Sequence, residues 1–212
     1  MAAAGRFITF EGGEGCGKST QIRLLADRLR SAGKEVLLTR EPGGTALAEK
    51  IRTLVREESD DPPNSLAETL LFLASRAQLV ESVIRPALVS GTWVLCDRFA
   101  DSTFAYQGYG RRLDLDELKR INSFATGGLA PDRTIRLNVS PEVSAKRMRA
   151  REAATNTGAD RMEKAGDDFH FRLRQGFLEL AAAEPERFSV IQADGAVEEV
   201  EEAVWNSIQP ML

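Results

Sequence analysis

Residues 7–20 read FITFEGGEGCGKST, an apolar run that ends in a glycine-rich loop and continues into a helical pattern. Gly12, Gly17, Lys18 and Ser19 satisfy the G-x-x-x-x-G-K-[ST] signature of a phosphate-binding loop. Glycines permit positive φ, so successive backbone N–H groups can turn toward one anion, and the following helix adds its positive dipole end. The stretch predicts a site for the phosphates of a nucleotide. The alternative is a glycine-rich turn that matches the motif by chance.

The loop also predicts a division of labour among its side chains. Lys18 supplies a mobile positive charge for the β- and γ-phosphates, and the Ser19 hydroxyl is a candidate Mg²⁺ ligand. Cys16 stands at a variable position of the motif and is interpreted as a small filler. The predicted nucleotide site comprises Gly12, Gly13, Glu14, Gly15, Cys16, Gly17, Lys18, Ser19 and Thr20. The motif leaves the phosphate acceptor undefined.

Length and composition narrow the class of protein. The chain has 212 residues, 42% hydrophobic and 28% charged, which fits one α/β domain spanning 1–212. Its net charge of −4 argues against binding a nucleic-acid polymer. No apolar stretch approaches about 18 residues and the N-terminus lacks an apolar region, so neither a membrane partner nor secretion is expected. Two cysteines make no disulfide framework, and a cytoplasmic location is expected.

Strand and helix patterns alternate along the chain, which predicts an α/β fold with a parallel sheet covered on both faces. The predicted strands span 6–10, 36–39, 93–97, 133–139 and 188–191. The predicted helices span 18–31, 46–56, 65–79, 81–90, 100–107, 113–124, 141–151, 167–184 and 197–208. Residues 65–68 read as a capping box that opens the third helix, and Pro86 predicts a kink or break. A small, polar excursion at about 150–166 predicts a short mobile lid.

An acidic–basic pair follows the strand at 93–97. Asp97 ends this apolar strand, where a carboxylate beside a phosphate loop can organise Mg²⁺ or its waters, and Arg98 can bind a phosphate through two parallel hydrogen bonds. An ordinary surface ion pair is the alternative. The polar loop at 40–45 follows the preceding strand, residues 97–107 follow this one, and the lid-like stretch comes after the fourth strand. These three segments and the phosphate loop are expected at the carboxyl edge of the sheet, where open α/β folds bind ligands.

Five segments together resemble bacterial thymidylate kinase, in the same order. They are FEGGEGCGKS (10–19), TREPGGT (39–45), LFLASR (71–76), DRFADSTFAYQG (97–108) and DRME (160–163). The second and fourth segments together are far more specific than the phosphate loop. The resemblance runs from about residue 6 to the last helix. It implies a P-loop kinase three-layer fold with a five-stranded parallel sheet, transfer of the ATP γ-phosphate to dTMP giving dTDP, Mg²⁺ as cofactor, and a homodimer formed near 65–79.

The resemblance also implies the acceptor site. It puts Phe72 against the thymine ring and Arg76 on a thymine carbonyl, and their spacing of four independently places both on one helix face. Taken alone, Phe72 among leucines is more typical of a core residue. The thymine N3 side is assigned to Gln107 or Thr103. The implied dTMP-binding residues are Arg40, Glu41, Arg52, Phe72, Arg76, Arg98, Ser102, Thr103, Tyr106 and Gln107.

The catalytic arginine is the open point of the resemblance. Some thymidylate kinases carry an arginine within the phosphate loop, where this chain has Gly15. The missing charge is therefore expected from the lid, which offers Arg149, Arg151 and Arg161, since an added guanidinium stabilises the charge of phosphoryl transfer. A solvated basic helix end is the alternative. The other implied catalytic residues are Lys18, Arg98, Asp97 and Glu14, with Ser19, Asp97 and Glu14 ordering Mg²⁺, partly through water.

Two rival functions remain at this point. The first is a kinase for another small phosphate acceptor, such as a different nucleoside monophosphate. The second is a nucleotide-dependent switch. The sequence contains no Asn-Lys-x-Asp motif of the kind that reads guanine in GTPases, which disfavours the switch.

Overall fold

A single parallel sheet organises the chain in the computed structural model, which describes residues 5–57, 59–155 and 165–212. Its strand order is β2-β3-β1-β4-β5. The central strand β1 is buried along its whole length because it has neighbours on both sides. The predicted parallel α/β architecture is confirmed. The strands are β1 (Phe7–Glu11), β2 (Val36–Arg40), β3 (Trp93–Asp97), β4 (Arg133–Asn138) and β5 (Phe188–Gln192).

The register of the strands brings the predicted site segments to one edge of the sheet. Phe10 pairs with Asp97 across β1 and β3, and Arg40 pairs with Asp97 across β2 and β3. Because the strands are parallel, their carboxyl ends meet there. The phosphate loop, the loop after β2 and the segment after β3 therefore open onto the same side.

Helices cover both faces of the sheet. The longer helices are α1 (Lys18–Ser31), α2 (Ala46–Arg56), α3 (Ser65–Leu79), α6 (Leu115–Thr126), α7 (Pro141–Thr155), α8 (Asp167–Ala183) and α9 (Val197–Ile208). Shorter segments are a π-helix (Val80–Ile84), α4 (Arg85–Val89), α5 (Ala100–Thr103), a second π-helix (Phe104–Gly110) and a 3₁₀ turn (Gln209–Met211). None of the described helices is long and apolar enough to cross a lipid bilayer.

Alternating residues of β1 supply two separate cores. Ile8 and Phe10 pack with Leu25 and other residues of α1 and α9 on one face of the sheet. Phe7 packs with Val94 and with the end of α3 on the other face. Successive side chains of a strand point to opposite faces, so both layers are anchored on the same central strand. This arrangement is the predicted three-layer fold.

The start of α3 corrects one prediction. Its N-cap is Asn64, whose Oδ1 accepts from the backbone N–H groups of Leu66 at 3.1 Å and Ala67 at 2.9 Å. The capping box predicted at 65–68 is wrong, because Asn64 is at least as good a cap, and Ser65 is the first residue of the helix and not its N-cap. Glu68 is consequently released from capping and lies fully buried.

Pro86 does not break the helix that contains it. The chain passes from α3 through the π-helical segment Val80–Ile84 into α4, with Pro86 in the first turn of α4. A proline lacks a backbone N–H, and near the start of a helix that donor is not needed. The predicted irregularity is therefore a π-helical segment ahead of the proline.

Candidate active site

The phosphate loop has the backbone that its glycines predict. Gly12, Gly15 and Gly17 all have positive φ, at 139°, 67° and 96°. Gly17 is the N-cap of α1 and no described side chain caps this helix, so its first N–H groups are available to an anion. Lys18 Nζ donates to the carbonyl oxygens of Gly12 at 3.0 Å and Gly13 at 2.9 Å. The loop and its lysine thus form a compact cationic cradle.

Gly15 is required by the helix that crosses the loop. A Cβ at this position would lie 2.7 Å from the carbonyl oxygen of Ser144 in α7, and its φ of +67° is unfavourable for a side chain. The Ser144 hydroxyl donates to the carbonyl oxygen of Glu14 at 2.7 Å. Because α7 is hydrogen-bonded to the loop, an arginine at position 15 has no room.

The same helix carries two arginines to the cleft. Ser144, Arg147 and Arg151 are spaced by three and four residues and share a helix face, and both arginines line the cleft. Arg151 Nη1 lies 3.8 Å from Glu14 Oε2. Arg149 is exposed and does not line the cleft, and Arg161 lies outside the described residues. Arg147 was missed from the sequence, although its spacing of four from Arg151 was a usable signal.

Arg98 joins the phosphate loop to the segment after β3. Its φ of +72° is unusual for a non-glycine residue. Nη1 donates to the Gly12 carbonyl oxygen and to the Ser102 hydroxyl, each at 3.2 Å, and Nη2 pairs with the Glu14 carboxylate. The guanidinium lies 5.0 Å from the Tyr106 ring centroid. A strained backbone persists only where the surroundings hold it, so this side chain is strongly positioned.

Glu14 is the anionic centre of this group. Burial raises the pKa of its carboxyl, but the positive charges of Arg98, Lys18 and Arg151 outweigh burial and lower that pKa to about 2. The carboxylate is therefore ionised at neutral pH. It holds Arg98 and the α7 residue Arg151 close to the phosphate loop.

Asp97 and Ser19 form a pair of oxygen donors beside the loop. The Ser19 hydroxyl lies 3.4 Å from Asp97 Oδ2, and Asp97 Oδ1 is buried without a hydrogen-bond partner among the described residues. Within that part of the chain no three His, Cys, Asp or Glu side chains cluster around a point. Mg²⁺ takes hard oxygen ligands and usually uses one or two protein groups plus phosphate and water. This pair fits such an ion.

A cleft of about 480 Å³ is lined by the phosphate loop, by residues that follow β2 and by residues that follow β3. All the residues predicted for dTMP line it, together with the loop residues from Glu14 to Thr20, whereas Gly12 and Gly13 are not among its lining residues. Phe72 is half-buried at this cleft and belongs to none of the core clusters among the described residues. Further lining residues missed from the sequence are Pro42, Val55 and Arg56.

Arg76 is held rigidly at the floor of the cleft. Its side chain is 3% exposed. Nε donates to Glu41 Oε2 at 2.8 Å, Nη1 to Asn122 Oδ1 at 2.8 Å and Nη2 to the Phe99 carbonyl oxygen at 3.0 Å, and Nη2 also lies 2.7 Å from Glu41 Oε2. Arginine has five N–H donors, so one N–H on Nη1 remains for a ligand.

Glu11 supports Arg98 from below and was not singled out from the sequence. Its carboxylate is fully buried and accepts from the backbone N–H groups of Phe99 at 2.8 Å and Ser102 at 3.2 Å, and from the Ser102 hydroxyl at 2.6 Å. Burial, with the nearby charge of Asp101, raises the pKa of Glu11 to about 7, and Arg98 opposes this shift. The turn that carries Arg98 is therefore fixed by a carboxyl group that titrates near neutrality.

We expect Glu11 to make stability depend on pH. A pKa raised from 4.5 to about 7 means that the folded state binds more protons in this window, so the contribution present below about pH 4.5 is lost as the pH rises through 7. In Glu11→Gln, the amide oxygen can still accept from the two backbone N–H groups without charge, and the amide nitrogen can donate to the Ser102 hydroxyl oxygen. The unfolding free energy of wild type minus that of the variant should fall by about 1–3 kcal/mol from pH 5 to pH 8. Urea unfolding at several pH values measures it, with exposed Glu186→Gln as control; a constant difference contradicts the assignment.

Comparisons with known proteins agree with this site. A family model described as thymidylate kinase matches residues 10–204. A thymidylate kinase of Synechococcus sp. is 50% identical over 206 residues, covering 97% of this chain and 95% of the relative. That of Deinococcus radiodurans is 48% identical over 204 residues, covering 96% of each. The crystal structure of thymidylate kinase from Ehrlichia chaffeensis superposes with a TM-score of 0.77 at 34% identity, covering 97% of this chain and 99% of that chain. Because the family model matches most of the chain and relatives of 48–50% identity cover nearly all of it, the chain belongs to the thymidylate kinase family.

Proposed function

We propose that this protein transfers the γ-phosphate of ATP to dTMP, giving dTDP and ADP. The observation that carries the proposal is the cleft of about 480 Å³, which is lined both by the phosphate loop and by all the residues predicted for dTMP. The family match and the names of its relatives support the same reaction. Phosphoryl-transfer catalysis depends on positioning the two substrates and on stabilising the transferring charge, and one cleft that holds both substrates supplies the positioning.

On the donor side, the backbone N–H groups of residues 13–20 and Lys18 bind the ATP phosphates in this proposal. Ser19 and Asp97 would hold Mg²⁺, with Glu14 acting through water. The ion would neutralise charge on the phosphate oxygens when bound. The unpartnered Asp97 Oδ1 supports this assignment, because a buried carboxylate oxygen needs a ligand.

On the acceptor side, Arg98 binds the dTMP phosphate, with Arg40 and Arg52 at the outer wall. Arg98 is supported best, because its guanidinium already contacts the phosphate loop. Arg40 is paired with Glu49 at 2.9 Å, and Arg52 donates to the Pro42 carbonyl oxygen at 2.9 Å. Ser102 lies between Glu11 and Arg98, so we assign it to holding Arg98 as well as lining the pocket.

The nucleoside of dTMP occupies the inner pocket in this proposal. Phe72 stacks on the base and the remaining Arg76 N–H donates to a thymine carbonyl, while Tyr106 and Thr103 pack beside the deoxyribose and base. Glu41 Oε1 is buried without a hydrogen-bond partner among the described residues, which supports its accepting from a sugar hydroxyl. The base, sugar and phosphate each have a matching group.

An acceptor panel tests the proposed reaction. With ATP and Mg²⁺ present, we expect kcat/KM for dTMP to exceed that for dCMP, UMP and AMP by at least about 100-fold. A site that hydrogen-bonds the thymine edge rejects cytosine and adenine, which lack the matching groups, and Tyr106 beside the deoxyribose would crowd the ribose 2′-OH of UMP. ADP release, measured by a coupled assay and checked by separating the nucleotide products, gives the values. Faster turnover of any of the other three contradicts the assignment, and nucleotide binding without product revives the switch.

We also propose that the protein is a cytoplasmic homodimer of single-domain subunits, each with a lid at about 150–166. Leu47 and Leu54 on α2 and Leu66 and Leu70 on α3 are 50–59% exposed, and the two helices pack on each other. A patch of large apolar side chains on adjacent helices supports an interface there. The two free, buried cysteines support a reducing compartment.

A further inference from the structure

A buried carboxylate stands behind the base pocket without a role in the reaction described above. Glu68 is fully buried on α3, one helical turn before Phe72. Its Oε1 accepts from Nε2 of Gln107 at 2.9 Å, and its Oε2 lies 3.5 Å from Arg111 Nη2. A buried acid is costly unless it is paired and hydrogen-bonded, so this contact has a structural or functional reason.

The partner of this carboxylate is Gln107, whose side-chain amide has both an acceptor and a donor. The Gln107 amide has an acceptor oxygen and a donor nitrogen of nearly the same shape, and either can face a neighbour. A carboxylate only accepts, and Arg111 Nη2 lies 3.5 Å from the other carboxylate oxygen of Glu68. The amide nitrogen must therefore point toward Glu68. Gln107 Oε1, which accepts no hydrogen bond from the described residues, is left for the cleft that Gln107 lines.

The orientation of this amide decides which base edge the cleft accepts. Thymine and uracil carry a donor N3–H, whereas N3 of cytosine is an acceptor. An outward amide oxygen pairs with N3–H and opposes the lone pair of cytosine N3. A flipped amide would do the reverse. Thr103 also lines the cleft, but its hydroxyl can donate or accept and so makes no such distinction.

We propose that Glu68 is a positioning residue that locks the Gln107 amide with its oxygen toward the cleft, and so restricts the acceptor to pyrimidine nucleotides with an N3–H. The inference rests on the proposed function and adds the cause of base selection. It also settles the sequence alternatives for the N3 contact in favour of Gln107. Arg76 acts separately, by donating to the neighbouring carbonyl.

The test is Glu68→Gln in the full-length enzyme. The new amide keeps the shape of Glu68 but can donate to Gln107 Oε1, so the Gln107 amide is free to flip. We expect the ratio of kcat/KM for dTMP to that for dCMP to fall by at least about tenfold, because a hydrogen bond to a charged group is lost. The loss should come from a higher KM for dTMP, with kcat changed less than about threefold. dUMP should follow dTMP because it keeps N3–H.

Matched variants separate positioning from a merely structural role. Glu68→Asp keeps an acceptor-only group and should retain most of the ratio, and exposed Glu198→Gln should leave it unchanged. Parallel loss for all acceptors in Glu68→Gln, with the ratio unchanged, overturns the inference. If Glu68→Gln does not fold, Gln107→Leu removes the amide itself, and an unchanged ratio in that variant overturns the inference equally. A wild-type enzyme that does not phosphorylate dTMP contradicts the proposed function, and the inference with it.

Discussion

Replacing Lys18 with methionine is expected to lower kcat for dTMP phosphorylation by about 10²–10³-fold or more. Methionine keeps most of the apolar stem but removes the charge that the proposed reaction directs at the β- and γ-phosphates. Lys18 Nζ already lies between the carbonyl oxygens of Gly12 and Gly13, so no large rearrangement is needed to reach a phosphate in the cradle. Charge develops on the transferring group in the transition state, which makes kcat the most sensitive quantity.

The measurement is steady-state turnover at saturating ATP and dTMP, with thermal unfolding as a check on the fold. Lys119→Met, in which an exposed lysine on α6 loses its charge, is the matched control and should retain full activity. The Lys18 variant should unfold within a few degrees of wild type, since the contacts that its ammonium loses are those with Gly12, Gly13 and Cys16 of the same loop. Activity within tenfold of wild type would remove the assignment of the loop.

The sequence predicted the sheet and the position of the site because these depend on local patterns. Apolar strands, glycine-rich turns and helical spacings act over a few residues, and parallel strand ends meet at one edge by topology alone. The prediction for Phe72 gained support from its place at the cleft. The N-cap of α3 was misplaced because Asn64 and Ser65 are both good N-caps, and their preferences for this position are about equal.

What the sequence did not reveal lies in contacts between distant residues. Glu11 meets Phe99 across 88 residues, and Glu68 meets Gln107 across 39. Glu11 and Glu68 belong to no sequence motif that would indicate these contacts. The left-handed backbone of Arg98 is equally invisible, because it is imposed by Glu11 and Ser102 and is not favoured by the residue itself. These residues hold Arg98, Ser102 and Gln107, which line the cleft beside the phosphate loop.

The second large effect on turnover is expected from the candidate catalytic arginines, and the structure distinguishes Arg151, which lines the cleft, from Arg149, which does not. Arg151→Met is expected to lower kcat by about 10³-fold with a modest change in the KM for dTMP, because a guanidinium beside the transferring phosphoryl group acts mainly in the transition state. Arg151 is favoured because it lines the cleft and lies 3.8 Å from Glu14, on the helix face that Ser144 binds to the phosphate loop. Single-turnover kinetics of the variants measure the chemical step directly.

Single variants of the other arginines of α7 test whether Arg151 is the catalytic one. Arg147→Met should show a smaller loss, and Arg149→Met a loss only if α7 rotates during turnover, since Arg149 is exposed on another face. Arg161→Met tests the remaining candidate, and exposed Lys146→Met controls for the loss of one positive charge from the helix. Because the main chain over Gly15 leaves no room for an arginine in the loop, an additional catalytic guanidinium is expected from one of these residues. Full activity in Arg147, Arg149, Arg151 and Arg161 variants alike would mean that Lys18, Arg98 and the metal suffice for catalysis.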